Sequence, residues 1–160
     1  AIGGAEHMSR RKVAVLMGSA SDRDKMAPAA DTLDRYGVEA DVRVMSAHRT
    51  PTLVADFASS ARDKGYAAII CGAGMAAHLA GAVAGQTTLP VIGVPLSGGA
   101  LNGVDALYAT VQMPKGIPVA TVAVDGAMNA ALLAVQILAV DDDELTGALA
   151  KHRDEMAPKT

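Results

Sequence analysis

The chain contains no tryptophan, one phenylalanine and three tyrosines, so aromatic packing cannot build its core. Hydrophobic residues nevertheless make up 51% of the sequence and charged residues only 19%, which excludes the intrinsically disordered class. Alanine and glycine allow helices and strands to approach closely, but each buries little apolar area. A chain of 160 residues suits one domain, and we expect association with further copies to add to the burial that this core supplies.

Cysteine occurs once, so a disulfide within the chain is excluded. Cys71 ends the apolar run 67–71, where a thiol is far more often buried and inert than nucleophilic. We therefore expect an unreactive Cys71 and a reducing, cytoplasmic location.

An excess of one charge is also absent, because Lys and Arg are scattered and the formal net charge is -3. Without a basic face the chain offers no electrostatic footprint for nucleic acid, and any anion must be held by a local site. The most apolar segment, residues 127–140, is shorter than the roughly 20 residues that a membrane-spanning helix needs. We expect neither nucleic acid nor a membrane as a partner.

The N-terminal residues lack both the basic start and the apolar core of a secretory signal. The His7-Met8 pair resembles the remainder of a cloning site in front of a native start at Met8. Residues 1–7 are therefore interpreted as the remnant of an expression tag, and the domain is expected to span 8–160.

Strand and helix patterns alternate from Lys12 onward. Continuous apolar strands separated by helices are typical of a parallel sheet covered on both faces, because right-handed crossovers place helices on each side. The expected fold is α/β: a single-domain three-layer sandwich around a doubly wound parallel sheet. Pro28 is expected to kink the first helix or to move its start. The predicted strands are 12–17, 38–45, 67–71, 89–94 and 117–124, and the helices between them are about 22–36, 51–64, 75–85 and 104–112.

Residues 127–140 predict a helix that is apolar nearly all the way round, and one sheet face cannot cover such a helix. We expect a partner subunit to cover the remainder. The tail that follows Asp141-Asp142-Asp143-Glu144 predicts a capped, charged helical extension that could reach a neighbouring copy, with His152 in solvent.

Ligands of doubly wound sheets bind at the carboxyl ends of the strands, near the point where the strand order reverses, so the first three strand-to-helix turns are the candidate site. The first turn runs Gly18-Ser19-Ala20-Ser21-Asp22. Its glycine permits a tight turn, and its hydroxyls and helix N-terminal amides could cradle a phosphate. The alternative is that Ser21 or Asp22 only caps the helix.

The second turn, SAHRTP, puts Ser46, His48 and Arg49 directly after an alternating strand. Arg49 could pair with a phosphate through its planar guanidinium, and His48 could exchange protons near neutral pH. Thr50 is expected to cap the next helix, with Pro51 at its first position. A polar loop that only happens to hold a histidine is the alternative, but the flanking Ser and Arg favour a functional site.

The third turn contains G-x-G-x-x-A from Gly72 to Ala77, which resembles a dinucleotide-binding motif. It follows the third strand rather than the first, and the next strand offers no acidic residue for a ribose, so we reject that function. The glycines instead let backbone amides approach a small ligand, which His78 contacts from early in the following helix. An ordinary buried imidazole is the alternative for His78.

His-x-x-x-His, Cys-x-x-Cys and Walker A patterns are absent from the sequence, so metal and nucleoside-triphosphate chemistry have no support. The three turns together indicate a site for a phosphorylated small molecule with one or two histidines. That combination favours proton-transfer chemistry.

The motifs GSASD, SAHRTP and GAGMAAHL, followed by ALNGVDALY, VQMPKGIPVAT and NAALLAVQIL, occur together and in this order. From Val13 to about Leu149 the chain resembles class I PurE, the N5-carboxyaminoimidazole ribonucleotide mutase family. The resemblance implies flavodoxin-like subunits in a homo-octamer, with each active site near a subunit junction. It also implies an isomerase that moves a carboxylate from the exocyclic amine of 5-(carboxyamino)imidazole ribonucleotide to ring carbon 4, without a cofactor or metal.

The resemblance also implies a role for each matching site residue. His48 would be the general acid and base, Asp22 would contact the ribonucleotide, and Gly74 with its neighbours would face the imidazole. Arg49 and three serines would hold the phosphate. The full substrate-binding set is Gly18, Ser19, Ser21, Asp22, Ser46, Arg49, Ala73, Gly74, His78 and Leu79.

Two alternatives remain. Animal-type relatives carboxylate aminoimidazole ribonucleotide directly with carbon dioxide, but they carry lysine and glycine where this chain has Arg49 and Thr50, so the mutase pattern is favoured. A non-catalytic nucleotide-sensing module on the same fold is the other alternative, and His48 argues against it, because binding a phosphate does not require a group that titrates near neutral pH. Met75 stands where many relatives have glycine.

Overall fold

The computed structural model describes residues 11–158, so the predicted tag remnant at residues 1–7 lies outside the described residues. A 3-10 turn, Ala20–Asp22, precedes the first helix. The strands are β1 Lys12–Met17, β2 Glu39–Val44, β3 Ala68–Gly74, β4 Val91–Leu96 and β5 Ala120–Thr121. The helices are α1 Arg23–Arg35, α2 Pro51–Ser60, α3 Leu79–Ala84, α4 Val104–Val111, α5 Ala127–Ala139 and α6 Asp143–Met156.

The strands of the described residues form one sheet in the order β2-β1-β3-β4-β5, and every neighbouring pair is parallel. The order reverses at β1, which lies between β2 and β3, as in flavodoxin-like proteins. This arrangement confirms the predicted doubly wound sheet and places a ligand-binding crevice at the carboxyl ends of β1 and β3.

Alternation along β1 divides the interior into two cores. Val13, Val15 and Met17 belong to the core that α1, α5 and α6 cover, whereas Ala14 and Leu16 belong to the core under α2 and α3. The predicted three-layer sandwich is therefore confirmed.

Glycines within the strands allow the layers to come close. A Cβ atom on Gly72 would lie 2.3 Å from the sulfur of Met26, and one on Gly93 would lie 2.3 Å from Thr110 Cγ2. At Gly93 the contact is with the methyl group of a buried threonine, so the close approach of α4 requires glycine there, whereas at Gly72 the flexible Met26 side chain would have to move.

The apolar segment 127–140 forms α5, whose alanine face is buried against the sheet. The helices α1 and α6 of the same chain also pack on it. Most of α5 is therefore covered within the chain rather than by a partner alone, because the C-terminal extension folds back over it.

The C-terminal extension is capped as expected, since the Asp142 carboxylate accepts a hydrogen bond from Leu145 N at 3.1 Å. The expectation that His152 lies in solvent is wrong. Its ring packs edge-on against Tyr36 with centroids 6.5 Å apart, and its Nε2 is buried without a hydrogen-bond partner among the described residues. Because the apolar residues of α6 pack on the core, this histidine is half-buried rather than exposed.

Several predicted boundaries differ from the structure. The helix α2 ends at Ser60 rather than Lys64, and Ser60 Oγ donates to the Asp56 carbonyl at 2.8 Å, which competes with continued helix. The helix α3 begins at Leu79 rather than Met75, because Met75 has φ 52°.

Strand β5 spans two residues of the predicted 117–124, at the edge of the sheet, where Pro118 cannot donate to a ladder. Pro28 does not move the helix start as one alternative expected, since α1 begins at Arg23 and continues past it. None of the helices between residues 11 and 158 has the length and apolar content that crossing a bilayer requires.

Candidate active site

A cavity of about 470 Å³ opens at the carboxyl end of the sheet. Every residue that the sequence predicted for the site lines it, although these residues come from three separate turns. They are Gly18, Ser19, Ser21, Asp22, Ser46, His48, Arg49, Ala73, Gly74, His78 and Leu79.

The turn after β1 presents two hydroxyls. Ser19 Oγ lies 2.9 Å from Ser21 Oγ and accepts a hydrogen bond from Ser21 N at 3.3 Å. Ser19 therefore caps the 3-10 turn, whereas Asp22, at the N-cap position of α1, makes no side-chain capping bond. The alternative in which Ser21 or Asp22 serves only as the cap is not what the structure shows.

Asp22 lines the cavity between two cations. Burial raises the pKa of its carboxyl group, while the positive charges of Lys25 and Arg49 act in the opposite direction. A partly desolvated carboxylate at this position can accept hydrogen bonds from the hydroxyls of a sugar.

The turn after β2 is held in shape by its own side chains. Ser46 is buried, and its hydroxyl accepts hydrogen bonds from His48 N at 3.3 Å and Arg49 N at 3.1 Å. Thr50 Oγ1 accepts from Ser46 N at 2.9 Å and donates to the Ser46 carbonyl at 3.1 Å. Thr50 thus braces this turn instead of capping α2 with its side chain, which corrects the expectation from the Thr-Pro pair.

Arg49 links the first two turns, because its Nη2 donates to the Gly18 carbonyl at 3.3 Å. The guanidinium is exposed at the cavity and leaves further N–H groups free to face an anion. The Ser46 hydroxyl, which accepts from the backbone, also keeps its own hydrogen for a ligand.

The turn after β3 brings a second histidine to the first. His48 Nε2 lies 2.8 Å from His78 Nδ1, and the two rings meet edge-on with centroids 4.9 Å apart. His78 is exposed and lies just before α3, so the alternative of a buried imidazole is wrong. One nitrogen of this pair donates and the other accepts, and the tautomers of the two rings decide which.

Gly74 also lines the cavity, and a Cβ atom there would lie 3.3 Å from the Leu96 carbonyl oxygen of the neighbouring strand. The absence of a side chain therefore permits the close approach of β3 and β4 at the edge of the cavity. Cys71, three residues earlier in β3, is buried, and burial raises the pKa of its thiol, so it is the inert residue that the sequence indicated.

A fourth wall of the cavity was not predicted from the sequence. Lys25 and the turn Ser97-Gly98-Gly99 after β4 also line the cavity, together with Met75. The glycine-rich turn was visible in the sequence, and its place after a strand was the signal, because all carboxyl ends of a parallel sheet share one edge. No cluster of His, Cys, Asp or Glu that could hold a metal ion occurs within residues 11–158.

Comparisons with known proteins agree with this geometry. The family model described as AIR carboxylase matches residues 12–159. The N5-carboxyaminoimidazole ribonucleotide mutase of Vibrio vulnificus is 52% identical over 90% of this chain and 91% of its own length. The mutase of the same name from Pyrococcus abyssi is 50% identical over 91% of this chain and 83% of its own length.

Among solved structures, Treponema denticola PurE superimposes with a TM-score of 0.81 at 31% identity, over 90% of each chain. Together with the family model and the named relatives, this likeness confirms the family that the three turn motifs indicated. The chain belongs to the AIR carboxylase family, which includes the PurE mutases.

Proposed function

We propose that this protein is an isomerase of purine biosynthesis that converts 5-(carboxyamino)imidazole ribonucleotide to 4-carboxy-5-aminoimidazole ribonucleotide. The observation that carries the proposal is the position of His48 beside Arg49 and Ser46 in one cavity at the switch point of the sheet. Relatives about half identical over nine-tenths of the chain bear the mutase name, which supports the same reaction here.

The phosphate of the ribonucleotide would bind at the first two turns. Ser19, Ser21 and Ser46 offer hydroxyl donors, and Arg49 offers a planar guanidinium that links the two turns. Asp22 would accept hydrogen bonds from the ribose. Binding at this end holds the reacting ring in place without taking part in bond changes.

The imidazole ring would lie over the backbone of Ala73 and Gly74, bordered by Leu79, with His48 and His78 at its edge. In the forward reaction the bond between the exocyclic nitrogen and the carboxylate carbon breaks, and His48 delivers a proton to that nitrogen. Ring carbon 4 then bonds the carboxylate carbon and loses its own proton to His48. The proton that His48 gave is thereby returned, and no electrons are gained or lost overall.

Direct carboxylation of aminoimidazole ribonucleotide is the second candidate. The name of the family model favours it, as does a chloroplastic protein of Vigna aconitifolia called phosphoribosylaminoimidazole carboxylase, 51% identical over 88% of this chain and 25% of its own length. Arg49 and Thr50, which match the mutase pattern, support the first candidate instead.

The experiment that tests the proposal supplies purified protein with either the carboxyamino substrate or aminoimidazole ribonucleotide plus bicarbonate. We expect rapid formation of product from the first and little from the second. Comparable or faster turnover of the second mixture would favour the direct carboxylase, and binding without turnover of either would favour a nucleotide sensor.

We further propose a cytoplasmic homo-octamer. A stripe of exposed apolar side chains consists of Leu101, just before α4, and Val104, Tyr108 and Val111 on α4, and each of them is at least 46% exposed. Helical spacing puts Val104, Tyr108 and Val111 on one face, which is typical of a surface that another subunit covers. The single buried thiol at Cys71 is consistent with a reducing compartment.

Light scattering at micromolar concentration tests the assembly. We predict a mass about eight times the chain mass of 16.2 kDa. We also predict that Tyr108→Lys lowers this mass, because a charge at the centre of the stripe disfavours burial. A wild-type protein that stays at the chain mass would contradict the octamer.

A further inference from the structure

Ser97, the first residue after β4, has its hydrogen-bonding groups occupied by charged side chains from two other parts of the chain. Its N–H donates to Asp125 Oδ1 at 2.9 Å, and its hydroxyl donates to Asp125 Oδ2 at 2.5 Å. Lys25 Nζ, from the first turn of α1, donates to the Ser97 carbonyl at 2.5 Å and to Ser97 Oγ at 3.2 Å. We call Lys25, Ser97 and Asp125 the Ser97 bridge.

The Ser97 bridge holds in place a glycine-rich segment of the cavity wall that has no side chains of its own to fix its conformation. Gly98 and Gly99 follow with φ angles of 139° and 66°, in the region that glycine adopts freely. The Met75 side chain lies over Gly99, with its Cγ 3.1 Å from the place where a Cβ atom would be. Asp125 itself has φ 60°, and its two hydrogen bonds with Ser97 stabilise this less favourable conformation.

The charged residues of the Ser97 bridge also contribute to the net charge in and around the cavity. Asp22, Lys25 and Arg49 line it, and Asp125 is hydrogen-bonded to Ser97, which also lines it, so two carboxylates and two cations lie in or next to the cavity. Burial disfavours the ionised form of both carboxyl groups and the positive charge of Lys25 favours it, while hydrogen bonds from Ser97 also lower the pKa of Asp125. Without Lys25, Arg49 would be the one remaining cation among these four groups, beside the carboxylates of Asp22 and Asp125.

A ribonucleotide that also carries a carboxylate brings nearly three negative charges, since a phosphate monoester contributes about 1.5 to 2 of them at neutral pH. A cavity with a net negative charge would disfavour such a ligand, because unlike charges attract and like charges repel across a partly desolvated site. Arg49 alone does not offset the two carboxylates.

We propose that Lys25 is a specificity-determining residue of this cavity, which fixes the Ser97–Gly99 wall and supplies the second positive charge that an anionic, carboxylated ribonucleotide requires. The proposal rests on the proposed function for the identity of that ligand. Lys25 is a binding and positioning residue here, and the bond changes are left to His48.

Lys25→Met removes the charge and keeps most of the side-chain length. We expect KM to rise about 10-fold while kcat stays within about twofold, because the lost interaction acts on binding in both the ground and transition states. Raised salt should increase the KM of the wild type more steeply than that of the variant. Lys25→Arg should restore KM to within about threefold, and Lys64→Met, at an exposed lysine outside the cavity, should match the wild type.

Asp125→Asn separates anchoring from charge. Asparagine tolerates a positive φ and still accepts a hydrogen bond from Ser97, so the wall is kept while one negative charge is removed. We expect an unchanged or lower KM. A KM raised as much as in Lys25→Met would overturn the role of charge, and a Lys25→Met enzyme with wild-type KM, or with only kcat reduced, would overturn the proposal as a whole.

Calorimetric binding of ribose 5-phosphate keeps this test distinct from that of the reaction. If the wild type binds this probe several-fold more tightly than Lys25→Met but turns over no carboxyamino substrate, Lys25 is supported as an anion-binding residue and the proposed function fails. Equal affinity of both proteins for the probe, together with normal turnover of substrate by both, leaves the function intact and overturns the role of Lys25.

Discussion

The two ends of the sheet use their charged side chains differently. At the amino end, Arg11 donates to Asp142 at 2.7 Å and to Glu144 at 3.0 Å, so that the charges offset one another and fasten α6 to the start of β1. At the carboxyl end, His48 and Arg49 are exposed to a cavity, and their neighbours shape the turn that carries them. One end holds the fold together, and the other is prepared for a ligand.

Substitutions at the two ends should therefore separate activity from stability. Changes at the carboxyl end are expected to alter binding or turnover while the protein stays folded. Changes at the amino end are expected to lower the free energy of unfolding while the active site continues to work.

The largest effect is expected from His48→Asn, which keeps approximate size and hydrogen bonding but cannot carry the proton. We expect kcat to fall at least about 100-fold, because a positioned general acid and base typically contributes 100- to 10,000-fold. Steady-state kinetics, light scattering and product binding would be measured together, and the assembly and its affinity should be retained. Near-normal turnover by a folded variant would move the assignment to His78.

The second-largest effect is expected from Arg49→Ala, with KM raised about 10- to 100-fold and kcat at saturation nearly unchanged. The guanidinium binds a phosphate that does not react, so its loss weakens the ground state and the transition state alike. Initial-rate measurements over a wide substrate range would separate the two constants. A collapse of kcat at constant KM would instead place Arg49 at the reacting centre.

His48 and Arg49 also show how much of the active site could be predicted from the sequence. SAHRTP and its place after a strand were sufficient to predict the second turn, because the parallel order of strands brings the carboxyl ends together. The bracing role of Thr50 was not predictable, since a Thr-Pro pair at a helix start equally suits a capping bond. The hydrogen bond between His48 and His78 joins residues 30 apart, and only the folded sheet defines it.

The main elements of the fold could also be predicted from the sequence, but some of its long-range contacts could not. Alternation and continuous apolar runs predicted a doubly wound parallel sheet, which the observed strand order confirms, and Asp142 was expected near the cap of α6. The Ser97 bridge was not predicted, because its three residues come from three distant segments of the chain and none of them belongs to a recognisable motif. His152 was assigned to solvent from the charges around it, and its packing on Tyr36 depends on how α6 folds back.

At the amino end, Arg11→Met should lower the free energy of unfolding by about 1 to 2 kcal/mol, with kcat and KM unchanged. The loss would remove charged hydrogen bonds to Asp142, whose side chain is only 8% exposed. Chemical denaturation would measure it, with Lys151→Met, at an 80% exposed lysine, as the matched control. A large fall in activity would contradict the separation of the two ends.

The smallest effect is expected from Asp22→Asn on the ligand-free protein. Burial raises the pKa of Asp22 above the 3.8 of a free carboxyl, so its ionisation destabilises the folded state increasingly as the pH rises from 3.8 to that raised value, and fully above it. Removing the charge should stabilise the ligand-free protein at pH 7 by up to about 0.5 kcal/mol and weaken ribonucleotide binding. Denaturation at pH 7 and below pH 3.8 would check this, and the difference should vanish at the lower pH.

Asp41→Asn supplies the opposite case. The hydrogen bond from Arg43 lowers the pKa of Asp41, so its ionised form stabilises the fold above pH 3.8, and this contribution is lost as the pH falls through the lowered value. The substitution should therefore destabilise the protein at pH 7 and have no effect in stronger acid. Equal signs for the two aspartates would contradict the electrostatic account of the cavity.

The fate of the carboxylate carbon tests the central claim most directly, namely that the carboxyl-end cavity moves a carboxylate within a ribonucleotide. Wild-type protein would receive substrate labelled with carbon-13 at the carboxyamino group, in unlabelled bicarbonate buffer, and the product would be analysed by mass spectrometry after a single turnover. We predict that the label is retained on ring carbon 4. Product that carries unlabelled carbon from the buffer would contradict the mutase and support direct carboxylation.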